Sequence, residues 1–386
     1  MRKSGGRRRG GRTDIAGLRV TLRTLTNTES RHASALELFF DLVLAVAIAA
    51  LGELLTRDTS LRGFLRYGAL FVPVWWAWVG YTFYADRFET DDLFYRLLVL
   101  LAMLAIAGIA INTSLAFSSR SASRVLAASY VAVRLILLVL YTRAYRHEPR
   151  ARPLCGSYLV GFSIGAAFWL ASVFVDPPLR YELWAAGLVV ELATPLLSVS
   201  AIKRVPFHAS HIPERLGSFT IVVLGETVAL TATGVTSRLH PAASLIAAGG
   251  FFLAAALWWI YFEFVDDSPM RRGMAAGQTY VYGHLLVFVG ITATGAGVRL
   301  ALRTGNAVGL SPGARWALCG GPAIFLAAIG VIHLVNTRRL RDARVWTRLG
   351  SSAAATGLAV AGSPLSPLTL VGLLLALLVA HAALES

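Results

Sequence analysis

Cysteine and lysine are nearly missing from this chain. Cys155 and Cys319 are its only thiols. Two isolated cysteines exclude a disulfide framework and the paired-thiolate knuckle of a structural zinc site. Lysine occurs only at Lys3 and Lys203, so arginine carries almost all of the positive charge. Charged residues of every kind reach 15%, against about 25% in soluble domains, which excludes an ordinary soluble protein. Neither a nucleotide-binding glycine loop nor a zincin helix is present, and nothing in the residues implies a cofactor or a metal. The arginine-rich start lacks the short apolar region and small-residue cleavage site of a signal peptide, so the first apolar run is expected to act as an uncleaved anchor.

What the sequence has instead is apolar length. It is 56% hydrophobic, with a mean hydropathy of +0.63. Runs long enough to cross a bilayer fall at 36–55, 66–84, 94–117, 123–142, 156–175, 180–200, 214–233, 242–264, 279–302, 315–336, 346–362 and 365–383. This pattern predicts an all-α polytopic membrane protein of about twelve transmembrane helices. The eleventh run is only mildly apolar, and Pro364 and Pro367 interrupt the start of the last.

A net charge of +15 would suggest nucleic acid in a soluble protein, but membrane topology explains it without one. With the N-terminus in the cytoplasm, roughly 25 of the 36 basic residues lie on cytoplasmic segments, as the positive-inside rule expects. Both termini are then expected to be cytoplasmic, and the preference for arginine over lysine, which suits a GC-rich bacterial genome, points to a bacterial inner membrane. Residues 1–30, polar and rich in glycine and arginine, are expected to form a disordered basic tail resting on anionic lipid.

The apolar runs repeat. His-Ala-Ser occurs at 32–34 and 208–210, and Leu-Gly-Glu at 51–53 and 224–226. Trp75-Trp76 is matched by Trp258-Trp259, each followed by Tyr, Phe and then an acidic pair. Tyr95 matches Tyr282, Arg124 matches Arg315, and Thr142-Arg143 matches Thr337-Arg338. The common order predicts two six-helix repeats, 31–203 and 204–386. An even number of spans per repeat makes them parallel.

Carboxylates inside membrane spans are costly and therefore functional candidates. Glu37 and Asp41 share one face of the first span, with Glu53 about 18 Å further along at 1.5 Å per residue. Glu53 is placed to pair with Arg57 at i+4. In the equivalent span, Glu214 follows Pro213 in the first turn and suits the helix dipole. Arg215 and Glu226 are eleven residues apart and project close together. Arg134 and Glu191, near the middles of two spans, are expected to form a buried bridge, with Pro195 one turn after Glu191. His284 is either a proton shuttle or a hydrogen-bonded core residue. His208, His211 and Glu214 have metal-ligand side chains, but Pro213 breaks the spacing a site would use and no further ligand supports one. The groups WWAWVGYTFY and WWIYFEF suit interfacial belts and helix packing.

The segments RHASALELFFDLVLAVAIAALGELL and HIPERLGSFTIVVLGETVAL resemble the low-temperature-requirement A family of bacterial membrane proteins, over residues 31 to about 383. The resemblance implies class and architecture; that family is named for a cold-growth phenotype. FFDLVLAVAIAAL is also similar to the first helix of the six-helix-repeat potassium channels of endosomes, lysosomes and bacteria. Phe40 and Asp41 match the Phe and Asp of their F-S-D motif, while Phe39 departs from it. That likeness would make Leu44, Ala45 and Ile48 pore-lining. The second repeat keeps Phe219 but has no matching Asp.

These readings favour a channel or transporter for a small cation, proton or polar solute, working alone or as a homodimer, with Asp41 and Glu226 on its path. Two alternatives stay open: a membrane-integral enzyme acting on lipid or isoprenoid through His208, His211, Glu214 and Glu226, and a non-transporting membrane-adaptation factor.

Overall fold

A computed structural model describes residues 21–22, 33–89, 91–205, 210–234, 241–265, 272–305 and 309–386. These residues are almost entirely helical. The long helices are α1 (Ala35–Arg57), α2 (Leu61–Arg87), α3 (Leu93–Thr113), α4 (Arg120–His147), α5 (Arg152–Phe174) and α6 (Leu179–Leu197). A short α7 (Val199–Arg204) leads to α8 (His211–Gly234), α9 (Pro241–Phe264), α10 (Met274–Thr304), α11 (Pro312–Thr337), α12 (Ala343–Ala361) and α13 (Pro367–Glu385). Among the described residues, nine helices are long and apolar enough to cross a membrane: α1, α3, α4, α5, α8, α9, α10, α11 and α13. The other three, α2, α6 and α12, are 27, 19 and 19 residues long. They are less apolar: α2 is rich in Trp, Tyr and Gly with its charges at the two ends, α6 carries Arg180, Glu182 and Glu191, and α12 carries Arg344 and Arg348 with several Ser, Thr and Gly residues. The chain is thus a polytopic all-α membrane protein. Within the basic tail, Thr21–Leu22 pairs antiparallel with Phe88–Glu89; the rest of residues 1–30 lies outside the described residues.

Helix starts follow local chemistry. Ser34 and Glu37 cap α1 reciprocally, each side chain bonding the other's backbone N–H. Ser60 caps α2 and Asp92 caps α3. Ser311 and Ser366 precede prolines at the first helical positions of α11 and α13, where a missing N–H costs nothing.

Packing follows one order in both groups of long helices. α1 lies on α2 and α3, α3 on α4, α4 on α5, α5 on α6, and α2 on α6. Likewise α8 lies on α9 and α10, α10 on α11, α11 on α12, α12 on α13, and α9 on α13. The groups meet where α1 and α2 touch α8 and α10. Tight α10–α11 contact depends on glycine: a Cβ on Gly297 would lie 2.2 Å from the Leu318 nitrogen, and one on Gly290 would lie 2.6 Å from the Gly321 carbonyl oxygen. The two tryptophan pairs have different surroundings. Trp75 and Trp76 are buried against Tyr282 of α10, whereas Trp258 and Trp259 of α9 are 45% and 54% exposed. Packing therefore accounts for the first tryptophan pair, while the second pair faces outward and its neighbour Tyr261 packs inward.

Candidate functional site: an ion-paired seam between the helix groups

The seam runs along α1, between α8 and α10. At the end where α1 begins, a bidentate ion pair crosses it. Arg215 of α8 donates from Nη1 to Asp41 Oδ2 at 2.8 Å and from Nη2 to Oδ1 at 2.7 Å. Trp78 of α2 donates its indole N–H to Asp41 Oδ1 at 2.7 Å. Asp41 and Arg215 are each 1% exposed. Charge-assisted bidentate geometry of this kind is what lets such charges stay buried. The Trp78 ring stacks on Phe219 at 4.7 Å between centroids, which fixes the indole's direction.

A second polar contact lies one turn nearer the start of α1. His211 Nδ1 is 2.9 Å from Asp86 Oδ1 at the end of α2. A carboxylate accepts, so Nδ1 carries the proton in this contact. The opposite ring nitrogen lies 4.0 Å from Glu37 Oε1. Glu37, Asp41, Asp86, His211 and Arg215 thus form one buried cluster contributed by α1, α2 and α8. A crevice of about 280 Å³, lined by Glu37, Phe40, Tyr81, Thr82 and Arg215 among others, opens beside it.

Beyond Asp41 the seam is apolar. Leu44, Ala45, Ile48 and Leu51 are at most 3% exposed. At Gly52 the helices come closer still, since a Cβ there would fall 2.7 Å from Leu230 Cδ1 of α8. The far end is closed by another ion pair: Arg299 of α10 binds Glu53 Oε2, and Arg57 Nε binds Glu53 Oε1 at 3.2 Å. Glu53 therefore serves α10 as well as its i+4 neighbour.

The other residues singled out from sequence lie elsewhere. Arg134 Nε meets Glu191 Oε2 at 2.9 Å, with both side chains fully buried. Tyr130 donates its hydroxyl hydrogen to Glu191 at 2.7 Å and accepts from Arg134 Nε at 2.9 Å. His284 has both nitrogens engaged, with the Tyr280 carbonyl at 2.6 Å and the Tyr261 hydroxyl at 2.8 Å. A carbonyl only accepts, so Nδ1 donates to it, while the Tyr261 hydroxyl, which can donate or accept, satisfies Nε2. That is the geometry of a hydrogen-bonded core histidine. Glu214 is exposed and Glu226 is half-buried, eleven residues beyond Arg215 along α8. Fifteen residues, about 22 Å of helix, separate His211 from Glu226, so these two do not converge on one reaction centre. His208 lies outside the described residues. Among the described residues no three His, Cys, Asp or Glu side chains are grouped to hold a metal ion.

Sequence reasoning missed several partners. Asp86, Trp78 and Arg299 complete the seam. Arg348 of α12 binds Glu385 of α13 at 2.7 Å from both Nε and Nη2, with His381 3.5 Å from the same carboxylate. The detectable signal was an Arg or an acid near the end of an apolar run, at 299, 348 and 385. The letters Gly161-Phe162-Ser163-Ile164-Gly165 match a serine-elbow pattern but lie inside α5, where the strained strand-to-helix turn that pattern requires is replaced by helix.

Comparison with known proteins agrees with this architecture. The chain is 30% identical over 340 residues to "Uncharacterized protein RA0937" of Rhizobium meliloti (strain 1021), covering 83% of this chain and 81% of that protein. Residues 32–383 match the family model described as bacterial low temperature requirement A protein (LtrA). With nearly every helix inside that match, the chain belongs to the LtrA family of bacterial membrane proteins.

Proposed function

We propose that this protein is a transporter for a proton or another small cation, and that its path follows the α1 seam. The observation that carries this reading is the pair of ion bridges at the two ends of α1: Asp41–Arg215 and Glu53–Arg299, with an apolar stretch of about 18 Å between them. Two bridges that each join α1 to the other helix group are natural gates, because opening one end separates a single ion pair. The Asp86–His211–Glu37 series at the first gate supplies groups that can exchange a proton with water in the adjoining crevice. Three carboxylates against one guanidinium favour cations over anions.

The shared packing order of the two helix groups supports a duplicated six-helix unit, 31–203 and 204–386. The arginine distribution supports a cytoplasmic placement of both termini in a bacterial inner membrane, with the basic tail on anionic lipid. Asp41–Arg215 is then the cytoplasmic gate and Glu53–Arg299 the outer one.

The test is flux in proteoliposomes with pH- and potassium-sensitive dyes, comparing wild type with Asp41→Asn and Glu53→Gln. Wild-type flux that either substitution abolishes in folded protein supports the reading. Absence of wild-type flux of protons, potassium and sodium, or flux indifferent to both substitutions, overturns it.

A further inference from the structure

A second cavity lies apart from the seam gates, enclosed by α2, α4, α5, α6, α7 and α10. It contains about 580 Å³ of empty space when its open side is counted, and it is partly open to the surroundings. Its walls are aromatic and aliphatic, with Trp76, Phe83, Tyr141, Phe162, Val281 and Tyr282 prominent. Arg87, at the end of α2, contributes a cation to the wall. Its guanidinium lies 5.2 Å above the Phe83 ring, and Nε donates to the Val205 carbonyl at 3.4 Å. These contacts hold the side chain in one direction. The framing helices are tied by Tyr282, which donates its hydroxyl hydrogen to the Leu192 carbonyl at 2.8 Å. Pro195 of α6 also lines the cavity, and the next two residues, Leu196 and Leu197, are 46% and 84% exposed. The rim on that side is therefore apolar, as lipid contact requires.

An aromatic cavity bordering lipid, with one fixed guanidinium in its wall, matches a particular ligand chemistry. Hydrocarbon fills the interior by the hydrophobic effect, and a planar guanidinium suits a carboxylate or phosphate. We propose that this cavity binds an anionic amphiphile through one hydrocarbon chain, with the chain lying along the Trp76 and Tyr282 rings on their cavity side and the carboxylate or phosphate head at Arg87. Either a free fatty acid or one chain of an anionic phospholipid has this chemistry. The site is independent of ion movement along α1, so its test stands whatever the flux experiments return.

Trp76 is a built-in reporter, because bromine on a bound chain quenches a tryptophan it touches. The full chain in detergent is titrated with dibromostearate, its methyl ester, and phosphatidylglycerol carrying brominated chains. Saturable quenching is expected from an anionic probe, and Trp76→Phe should remove the saturable part. Val281→Phe, which fills the cavity, should weaken binding at least tenfold. Arg87→Gln should weaken the anionic probes at least tenfold and leave the methyl ester within twofold. Saturation by dibromostearate identifies the free acid; saturation by the phospholipid alone identifies a bilayer lipid. Quenching that does not saturate, or that is unchanged in both Trp76→Phe and Val281→Phe, overturns the site. Equal weakening of ester and acid by Arg87→Gln overturns the role of the head group. Elution volume and unfolding temperature establish that each variant is folded, and Val281→Phe does not depend on the arginine being replaceable.

Discussion

Removing one member of the Asp41–Arg215 pair should destabilise the protein unequally, depending on which member is removed. Asp41 accepts two hydrogen bonds from Arg215 and one from Trp78, each worth about 1.5–3 kcal/mol for a charged group. Leaving either charge buried alone costs about 3–5 kcal/mol. After Arg215→Met, Asp41 keeps the Trp78 indole and can shed its charge by binding a proton. After Asp41→Ala, Arg215 keeps one long hydrogen bond, to the Glu37 carbonyl at 3.4 Å, and the Trp78 ring at 5.9 Å, and a guanidinium cannot deprotonate. Asp41→Ala should therefore reach the full loss of about 3–5 kcal/mol, and Arg215→Met should cost at least about 1.4 kcal/mol less, a factor of ten in the unfolding equilibrium. The double variant Asp41→Leu/Arg215→Met should recover most of the loss, because apolar replacement of a buried pair is often neutral. Unfolding in mixed detergent–SDS micelles, followed by tryptophan fluorescence, measures all three. A double variant as unstable as the sum of the singles would refute the coupling, and Arg215→Met costing more than Asp41→Ala would refute the ordering.

Other consequences follow from single contacts. Gly297→Ala should lower stability by about 1–3 kcal/mol or more through overpacking, because its Cβ meets Leu318 backbone at 2.2 Å; Gly350→Ala, with nothing within 4 Å, should be neutral or stabilising in the same thermal-unfolding assay. Arg134→Ala should abolish the yield of folded protein, and Arg134→Met with Glu191→Gln should restore it. A charge swap at these positions should fail, since Gly165 packs so closely on Glu191 that even a Cβ would lie 2.4 Å from Glu191 Cγ. Asp92, which caps α3, also binds Arg143. Burial pushes its carboxyl up, but hydrogen bonds from Arg143 and from the Tyr95 N–H prevail and hold it below the usual range. Its contribution, about 1–2 kcal/mol for a cap with a charged partner, is thus fully present above the ordinary carboxylate pKa of about 4 and lost as pH falls through the lowered value. The stability gap between wild type and Asp92→Asn should close on acidification below about pH 4; a gap that widens there would contradict the assignment.

Much of the architecture was legible because membrane helices announce themselves through length. All twelve apolar runs became helices, including 346–362 and 365–383, where mild hydropathy and prolines had weakened the pattern. Asp41 stood out because a carboxylate one turn inside an apolar run needs compensation. Arg134 and Glu191 could be matched because both sit at mid-span, and only a few charges lie at that depth. Asp41's own partner was not legible: Arg215 is 174 positions away, and helical periodicity assigns a residue to a face without naming the helix opposite. The same limit hid Arg299 from Glu53. The tryptophan pairs show how tertiary context overrides local likeness. Equivalent by sequence, they differ in burial because α10 covers α2, whereas Trp258 and Trp259 stay on the outer face of α9.

Solvent access to the middle of the α1 seam tests the gated path most directly. With Cys155 and Cys319 replaced by alanine, Ile48→Cys is placed between the two ion pairs, at a side chain only 1% exposed. In oriented proteoliposomes, a membrane-impermeant thiol reagent should label it slowly from either side. Asp41→Asn should speed labelling from the face where α1 begins, and Glu53→Gln from the opposite face. A cysteine that stays unlabelled from both sides in both gate variants, while the protein remains folded, would contradict a path along this seam.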